Sequence, residues 1–447
     1  MNTETETQPV IVVGGGWAGL AAAVELARHD IPVTLLESAK QLGGRARSVQ
    51  TGSMQVDNGQ HLLLGAYEST LGLIRSIGIE EENVLHRQPL SLYWNDPANT
   101  PVSLRTARLP APYHLAWGLL TAKGLSLRDR LSALAFSRRQ EKRHFSIEED
   151  CSVADLLVRQ DQSPSLVRAL WEPLCIGALN TRLDEASAQI FLRTLGDSFN
   201  HARSDSDLLL TRVNLGAILP QPAADYIERH KGSVRLGQRV TELNIKDDKV
   251  EGIQVDETRY NANDIILATP HHVSLQMLKP HAALEPVCEQ LQQLDDRPIC
   301  TLYLQFDKNI RLGRWLQGSL GTLCQWIFDR SLYGQDGLMA VVISSDGEHM
   351  QWDNQELYNH VIAEIGAQLP QWPTPISWQV IREKRATLAS TVGINQYRPD
   401  GQTPIQGLWL AGDYTNTRLP ATLEGAVRSG LHCAQRIISA RRHRHQQ

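Results

Sequence analysis

The run Val10-Ile11-Val12-Val13-Gly14-Gly15-Gly16-Trp17-Ala18-Gly19 sets a β-branched strand, a glycine turn and an Ala-rich helix in direct succession. No other stretch constrains the fold as tightly. A G-x-G-x-x-G spacing says little alone, but between a buried strand and a helix it is a dinucleotide fingerprint. Gly14 permits the tight turn, Gly16 lets the backbone approach a pyrophosphate, and Gly19 lets the helix pack close to the strand. A diphosphate then sits at the helix N-terminus, where free N–H groups and the helix dipole favour negative charge. The glycines leave open which dinucleotide is held.

A second strand is expected over residues 31–37, entered through Asp30-Ile31-Pro32 and ending at Glu37. Glu37 stands eighteen positions after Gly19, where an acidic side chain can hydrogen-bond a ribose hydroxyl. The plainer alternative is a surface carboxylate at a strand end. Leu42-Gly43-Gly44-Arg45 repeats the theme, with small residues that admit close backbone approach beside a fixed cation.

Beyond this, residues 88–219 read as mostly helical, with Pro and Gly punctuation. Residues 233–244 and 264–269 read as strands, the second stopped by Pro270. Residues 300–306 and 377–385 alternate apolar and polar, and 338–344 is a continuous apolar strand, which together suggest an antiparallel sheet with one buried face. Residues 408–411 give a last strand before a helix over 423–436. The expected class is α/β, a Rossmann-like domain assembled from discontinuous segments with an inserted α+β substrate domain. Its nucleotide segments are placed at 1–80, 226–290 and 396–447, the helical segment at 81–225 and the antiparallel sheet at 291–395.

Net charge of −5 provides no basic field for nucleic acid. Residues 1–9 are polar and acidic, unlike a signal peptide, and no apolar run reaches the roughly 18 residues of a spanning helix. The six cysteines are scattered without a C-x-x-C, so reduced thiols in a cytoplasmic protein are expected, with no disulfide framework and no metal site.

Near the end, Leu408-Trp409-Leu410-Ala411-Gly412-Asp413 runs a strand into Gly-Asp, and Pro420-Ala421-Thr422-Leu423-Glu424-Gly425-Ala426 opens a helix. With the first fingerprint and Gly43-Gly44-Arg45, this resembles the FAD-dependent superfamily of amine oxidases and carotenoid desaturases. The resemblance implies FAD as the dinucleotide, with Asp413 at its ribityl and pyrophosphate region. It implies that the helix start at Thr422 and Leu423 points at the pyrimidine edge of the flavin, and that the backbone of Val240 holds adenine. No second fingerprint follows a strand, so electrons are expected to come from, or go to, an external partner.

Residues 57–67, Asp-Asn-Gly-Gln-His-Leu-Leu-Leu-Gly-Ala-Tyr, are similar to plant-type phytoene and ζ-carotene desaturases. The form Asn58-Gly59-Gln60-His61 looks most like the squalene-associated FAD-dependent desaturases, the hydroxysqualene dehydroxylases. Residues 171–174, 178–181, 383–387 and 417–422 fit the same group. The resemblance places Gly59 and His61 beside the flavin. It implies that hydroxysqualene loses its hydroxyl and gains a hydride from reduced FAD, which requires a proton donor. His61 is the first candidate, since histidine carries a proton near neutral pH. Glu172, in the apolar stretch 166–179, is the second, because burial raises a carboxyl pKa. The plainer alternatives are a histidine bonded to backbone or flavin and a salt-bridged helix residue. Competing readings are a carotenoid desaturase, a flavin amine oxidase and a non-catalytic FAD-binding scaffold.

A hydrophobic isoprenoid implies access to lipid. Residues 105–144 interleave nine Lys and Arg with Leu109, Tyr113, Leu115, Trp117, Leu119, Leu120, Leu131, Leu134 and Phe136, against only Asp129 and Glu141. That pattern suits peripheral docking on the anionic inner face of the cell membrane. The alternative is a helical domain packed on its own core with a solvated basic face.

Overall fold

The computed structural model describes residues 8–446 apart from residue 53, and omits the side chains of 444–446. Residues 1–7, most of the acidic N-terminal stretch, lie outside it. Five strands form a wholly parallel sheet in the order Ser233–Leu236, Val33–Glu37, Val10–Val13, Ile265–Leu267, Leu408–Leu410. The three central strands carry β-branched and Leu side chains on both faces, as a sheet covered on both sides requires. Its strands come from four regions of the chain. The strand order reverses at Val10–Val13, so a crevice is expected beyond the C-terminal end of that strand.

Two helices cover one face, Trp17–Arg28 and Leu423–Gln446. They meet at Gly430, where a Cβ would stand 2.0 Å from the Ala18 carbonyl oxygen. At the fingerprint, a Cβ on Gly19 would lie 1.9 Å from the Gly14 carbonyl oxygen. Only glycine lets helix and turn approach so closely at either point.

A second sheet has seven strands in the order Ser377–Leu388, Asp296–Gln305, Leu338–Ser344, Trp326–Asp329, Leu316–Ser319, Ser91–Asn95, Val102–Arg105. Its pairings are antiparallel except between Leu316–Ser319 and Ser91–Asn95. The pleat sends Leu302, Leu304 and Val341 toward the helix Asn354–Gln368, where Leu357 and Val361 close a core. Tyr303 and Val342 face the opposite way, into the main core.

The helical reading of 88–219 needs correction at two places. Residues 88–219 are not mostly helical at their start, because Ser91–Asn95 and Val102–Arg105 form a hairpin that completes the large sheet. Leu208–Thr211 is also a strand, between Leu62–Leu64 and Leu85–Gln88. Residues 233–244 hold strands, as expected, divided at Gly237, whose φ is +69°. Ser233–Leu236 then joins the parallel sheet, and Val240–Lys246 starts a three-stranded meander with Lys249–Val255 and Thr258–Asn261.

Candidate active site

The crevice at the switch point opens into one cavity of about 1090 Å³. This lies at or above the top of the roughly 300–1,000 Å³ usual for a small-molecule site. Gly14 and Gly16 form its floor, and Gly19 lies behind them as a packing residue. Gly14 takes a φ of +110°, and a Cβ there would meet the Ala268 carbonyl at 2.6 Å. Gly16 ends the turn as the N-cap of Trp17–Arg28, a helix with no acidic side chain in its first turn. The helix's own first turn supplies no counter-charge, and the Glu37 carboxylate stands on the preceding Gly15 N–H. Gly44 packs directly on Gly16, its would-be Cβ 3.1 Å from the Gly16 Cα. Glu37 borders the same floor and is fixed by two backbone donors, Gly15 N–H at 2.6 Å and Ala39 N–H at 2.7 Å. Val240 lines the cavity at the start of its meander.

Across the cavity, Arg45 Nη2 donates to Asp413 Oδ1 at 2.5 Å, and Arg45 Nη1 donates to the Ala386 carbonyl at 3.1 Å. Asp413 follows Gly412, whose N–H is held by Ser429 Oγ at 2.8 Å. The loop beyond is built around Arg398, a residue that sequence reasoning did not single out. Its buried guanidinium donates to the carbonyls of Asp413, Thr415 and Leu419 at 2.8, 2.7 and 2.6 Å. Burial lowers its pKa to about 10. Thr422 and Leu423 line the cavity at the start of the last helix. Glu424, also on the cavity wall, accepts from the N–H groups of Ser69 and Thr70 at 3.0 and 2.9 Å.

The segment 58–61 divides its labour. Asn58 Nδ2 donates to Glu383 Oε2 at 2.8 Å. Gln60 Oε1 accepts from Arg330 Nη1 at 2.9 Å, and Gln60 Nε2 donates to Tyr333 OH at 2.7 Å. Arg330, fully buried, also pairs with Asp57 at 3.2 Å. All four residues of the segment line the cavity, Gly59 and His61 without such braces. Burial lowers the His61 pKa, Asp57 opposes that shift and Arg45 adds to it, so the ring is neutral near pH 7. A neutral imidazole is poorly suited to the acid role that its position suggested.

Glu172 does not reach the site. It is exposed and absent from the cavity wall, while Pro173 and Leu174 line it. A π-helical turn at Val167–Trp171 precedes it and rotates the faces of the following helix. Desolvation raises its pKa against Arg168 and Arg182, but at a position outside the cavity.

A group missed in the sequence also lines the cavity. His271 and His272 start the helix His271–Leu278 directly after Pro270, and Asp296 starts the strand Asp296–Gln305. His271 Nδ1 is 3.8 Å from Asp296 Oδ1. Arg385 donates to His272 Nε2 at 3.0 Å and stands 3.9 Å from the Asp296 carboxylate. Their ligating atoms lie within 4.8 Å of one another, but the Arg385 guanidinium already supplies the cation. Burial raises the Asp296 pKa, with Arg45 opposing, and lowers those of His271 and His272.

The wall also carries an apolar stretch, including Leu90, Leu92, Leu174, Phe191, Trp326 and Phe328. No lysine lines the cavity among the described residues. The six cysteines are all free thiols.

The family model described as flavin containing amine oxidoreductase matches residues 17–438. A hydroxysqualene dehydroxylase of Rhodopseudomonas palustris is 28% identical over 447 residues, covering 98% of this chain and 100% of its own. A probable zeta-carotene desaturase of Synechococcus elongatus is 24% identical, covering 96% and 98%. An oxidoreductase structure from Methanosarcina mazei superposes with a TM-score of 0.77 at 14% identity, covering 96% and 100%. That likeness concerns the fold.

Proposed function

The chain belongs to the flavin-containing amine oxidoreductase family and is an FAD-dependent oxidoreductase; from that premise we propose that it reduces hydroxysqualene to squalene. The residues fit the cofactor. The bare glycine floor and a helix N-terminus with no acidic side chain in its first turn suit a pyrophosphate, with Glu37 placed for a ribose and Val240 for adenine. Arg45 and Asp413 flank the path toward the helix start at Thr422 and Leu423. Reduced FAD supplies two electrons and one hydrogen, as hydride, to an allylic carbon.

The observation that carries the substrate reading is the continuity of this polar floor with the apolar wall of Leu90, Leu92, Phe191 and Trp326 in one cavity. The hydroxysqualene dehydroxylase relative, matched end to end, supports the same class of substrate. An oxidative desaturation of a polyene is the second reading, supported by the zeta-carotene desaturase relative. The absence of a cavity lysine among the described residues removes one support for an amine substrate.

We also propose that the protein takes its substrate from a membrane surface. No helix among the described residues is long and apolar enough to cross a bilayer. Six of the large exposed apolar side chains, Leu109, Tyr113, Trp117, Leu120, Leu127 and Leu131, fall on Tyr113–Thr121, on Leu127–Lys142 or just before them. Arg105, Arg108, Lys123 and Arg128 are exposed in the same stretch, whereas Asp129 is buried on Ser163 and Ser126. Leu119 and Phe136, read from the sequence as part of the face, are instead core residues. The helix Tyr113–Thr121 packs on Val102–Arg105, next to the strand whose Leu92 lines the cavity. Extraction of squalene after mixing hydroxysqualene with chemically reduced protein tests the substrate reading, and unchanged alcohol would refute it.

A further inference from the structure

The reaction proposed above needs a proton at the departing oxygen, and the cavity holds few groups able to give one. Its buried and half-buried carboxylates are nearly all engaged. Glu37 accepts from Gly15 and Ala39, and Asp197 pairs with Arg193. Asp205 accepts from Ala202, Glu383 from Asn58, Asp413 from Arg45, and Glu424 from Ser69 and Thr70. Asp296 alone in this set accepts no hydrogen bond from the described residues, its nearest partners being His271 at 3.8 Å and Arg385 at 3.9 Å. Its side chain is 12% exposed and lines the cavity.

On the reading of hydroxysqualene as substrate, we propose that Asp296 is the catalytic acid that protonates the leaving hydroxyl, with His271 beside it and Arg385 connecting it to solvent. The allylic C–O bond breaks with its electron pair going to oxygen. That oxygen takes the Asp296 proton and departs as water. The carbon receives hydride, and reduced FAD is oxidised by two electrons. The Asp296 carboxylate regains its proton from water along the His272–Arg385 edge, where the Arg385 side chain is 60% exposed.

The surroundings suit this role. The groups facing the carboxyl are Arg45, Arg385, His271, His272, Asp413 and, on the neighbouring strand, Glu383. Desolvation favours the protonated acid more than these cations oppose it, so its pKa is raised. His61 is neutral by the same burial and remains a wall residue.

The test uses purified holoenzyme, its Asp296→Asn and Asp296→Glu variants, and two substrates, hydroxysqualene and its trifluoroacetate ester. The ester leaves without needing a proton. Asp296→Asn is expected to slow reoxidation of reduced flavin by the alcohol by about 10²–10⁴-fold, to react with the ester at a rate close to wild type, and to keep full flavin content. Asp296→Glu is expected to recover part of the alcohol rate. A protonated-carboxyl infrared band present in wild type and lost in Asp296→Asn is the readout independent of turnover. Equal slowing on both substrates, or none on the alcohol, would overturn the assignment to Asp296. Wild-type protein inert to the alcohol would instead overturn the substrate reading, and the acid role with it.

Discussion

Arg45 and Asp413, 368 residues apart, meet at 2.5 Å on the cavity wall. The contact joins the second glycine turn to the C-terminal Gly-Asp loop across a single site. Neither residue has a local reason for its partner. Arg45 follows the glycine turn after the strand Val33–Glu37 and Asp413 follows Leu408–Leu410, strands separated in the sheet by two others, so only the tertiary fold brings them together.

Asp413→Asn keeps the shape and removes the charge that Arg45 meets. A hydrogen bond to a charged group contributes about 1.5–3 kcal/mol, so FAD affinity is expected to weaken by roughly one to two orders of magnitude. Flavin absorbance per protein after gel filtration, followed by titration of FAD back into the stripped variant, measures the loss. Retention at wild-type affinity would separate this pair from cofactor binding.

Arg330→Met leaves Asp57 buried without its cation and Gln60 without its donor. Breaking a fully buried pair from one side costs about 3–5 kcal/mol. The melting temperature is expected to fall by several degrees or more, and Arg330→Lys is expected to recover little, because a point charge cannot satisfy both partners. Thermal denaturation of the three proteins checks this.

His61, His271 and His272 all have pKa values held below the ordinary 6.5 by burial. As pH falls through 6.5, the unfolded chain therefore binds protons before the folded one does. Stability rises with pH across that window and is lost on acidification. The urea midpoint is expected to drop between pH 7.5 and pH 5.5, and His271→Gln is expected to flatten the slope. A midpoint independent of pH in both proteins would contradict buried neutral rings.

Tyr113 and Trp117 are 66% and 53% exposed, so replacing both with serine has little to disturb in the folded core. Each large apolar side chain transferred into lipid contributes up to about 1.5–3 kcal/mol. The double variant is expected to lose most co-sedimentation with anionic liposomes while its melting temperature stays within about 1–2 °C. Wild-type binding is expected to weaken with salt. Undiminished sedimentation of the variant would remove this surface from the membrane reading.

The nucleotide-binding half of the fold was legible because its signals are local. Strand, glycine turn and helix follow one another at Val10–Val13, Gly14 and Trp17–Arg28, and Gly412-Asp413 repeats the pattern in reverse position. The hairpin Ser91–Asn95 and Val102–Arg105 was missed because each strand is short and is stabilised by long-range pairing with Leu316–Ser319. Glu172 was misplaced because one π-helical turn re-aims the helix after it, which an apolar run does not reveal. The Asp296 cluster is the sharpest case. Pro270-His271-His272 after a buried strand is a visible signal, but its acid lies on another sheet and is supplied only by the tertiary fold.

Single-turnover reoxidation of the anaerobically reduced holoenzyme by hydroxysqualene tests the central claim most directly. The expected result is one squalene formed per flavin oxidised, with no other electron acceptor present. Flavin that stays reduced with hydroxysqualene, while oxidised enzyme is reduced by a phytoene-type polyene, would contradict reductive dehydroxylation and assign the cavity to desaturation.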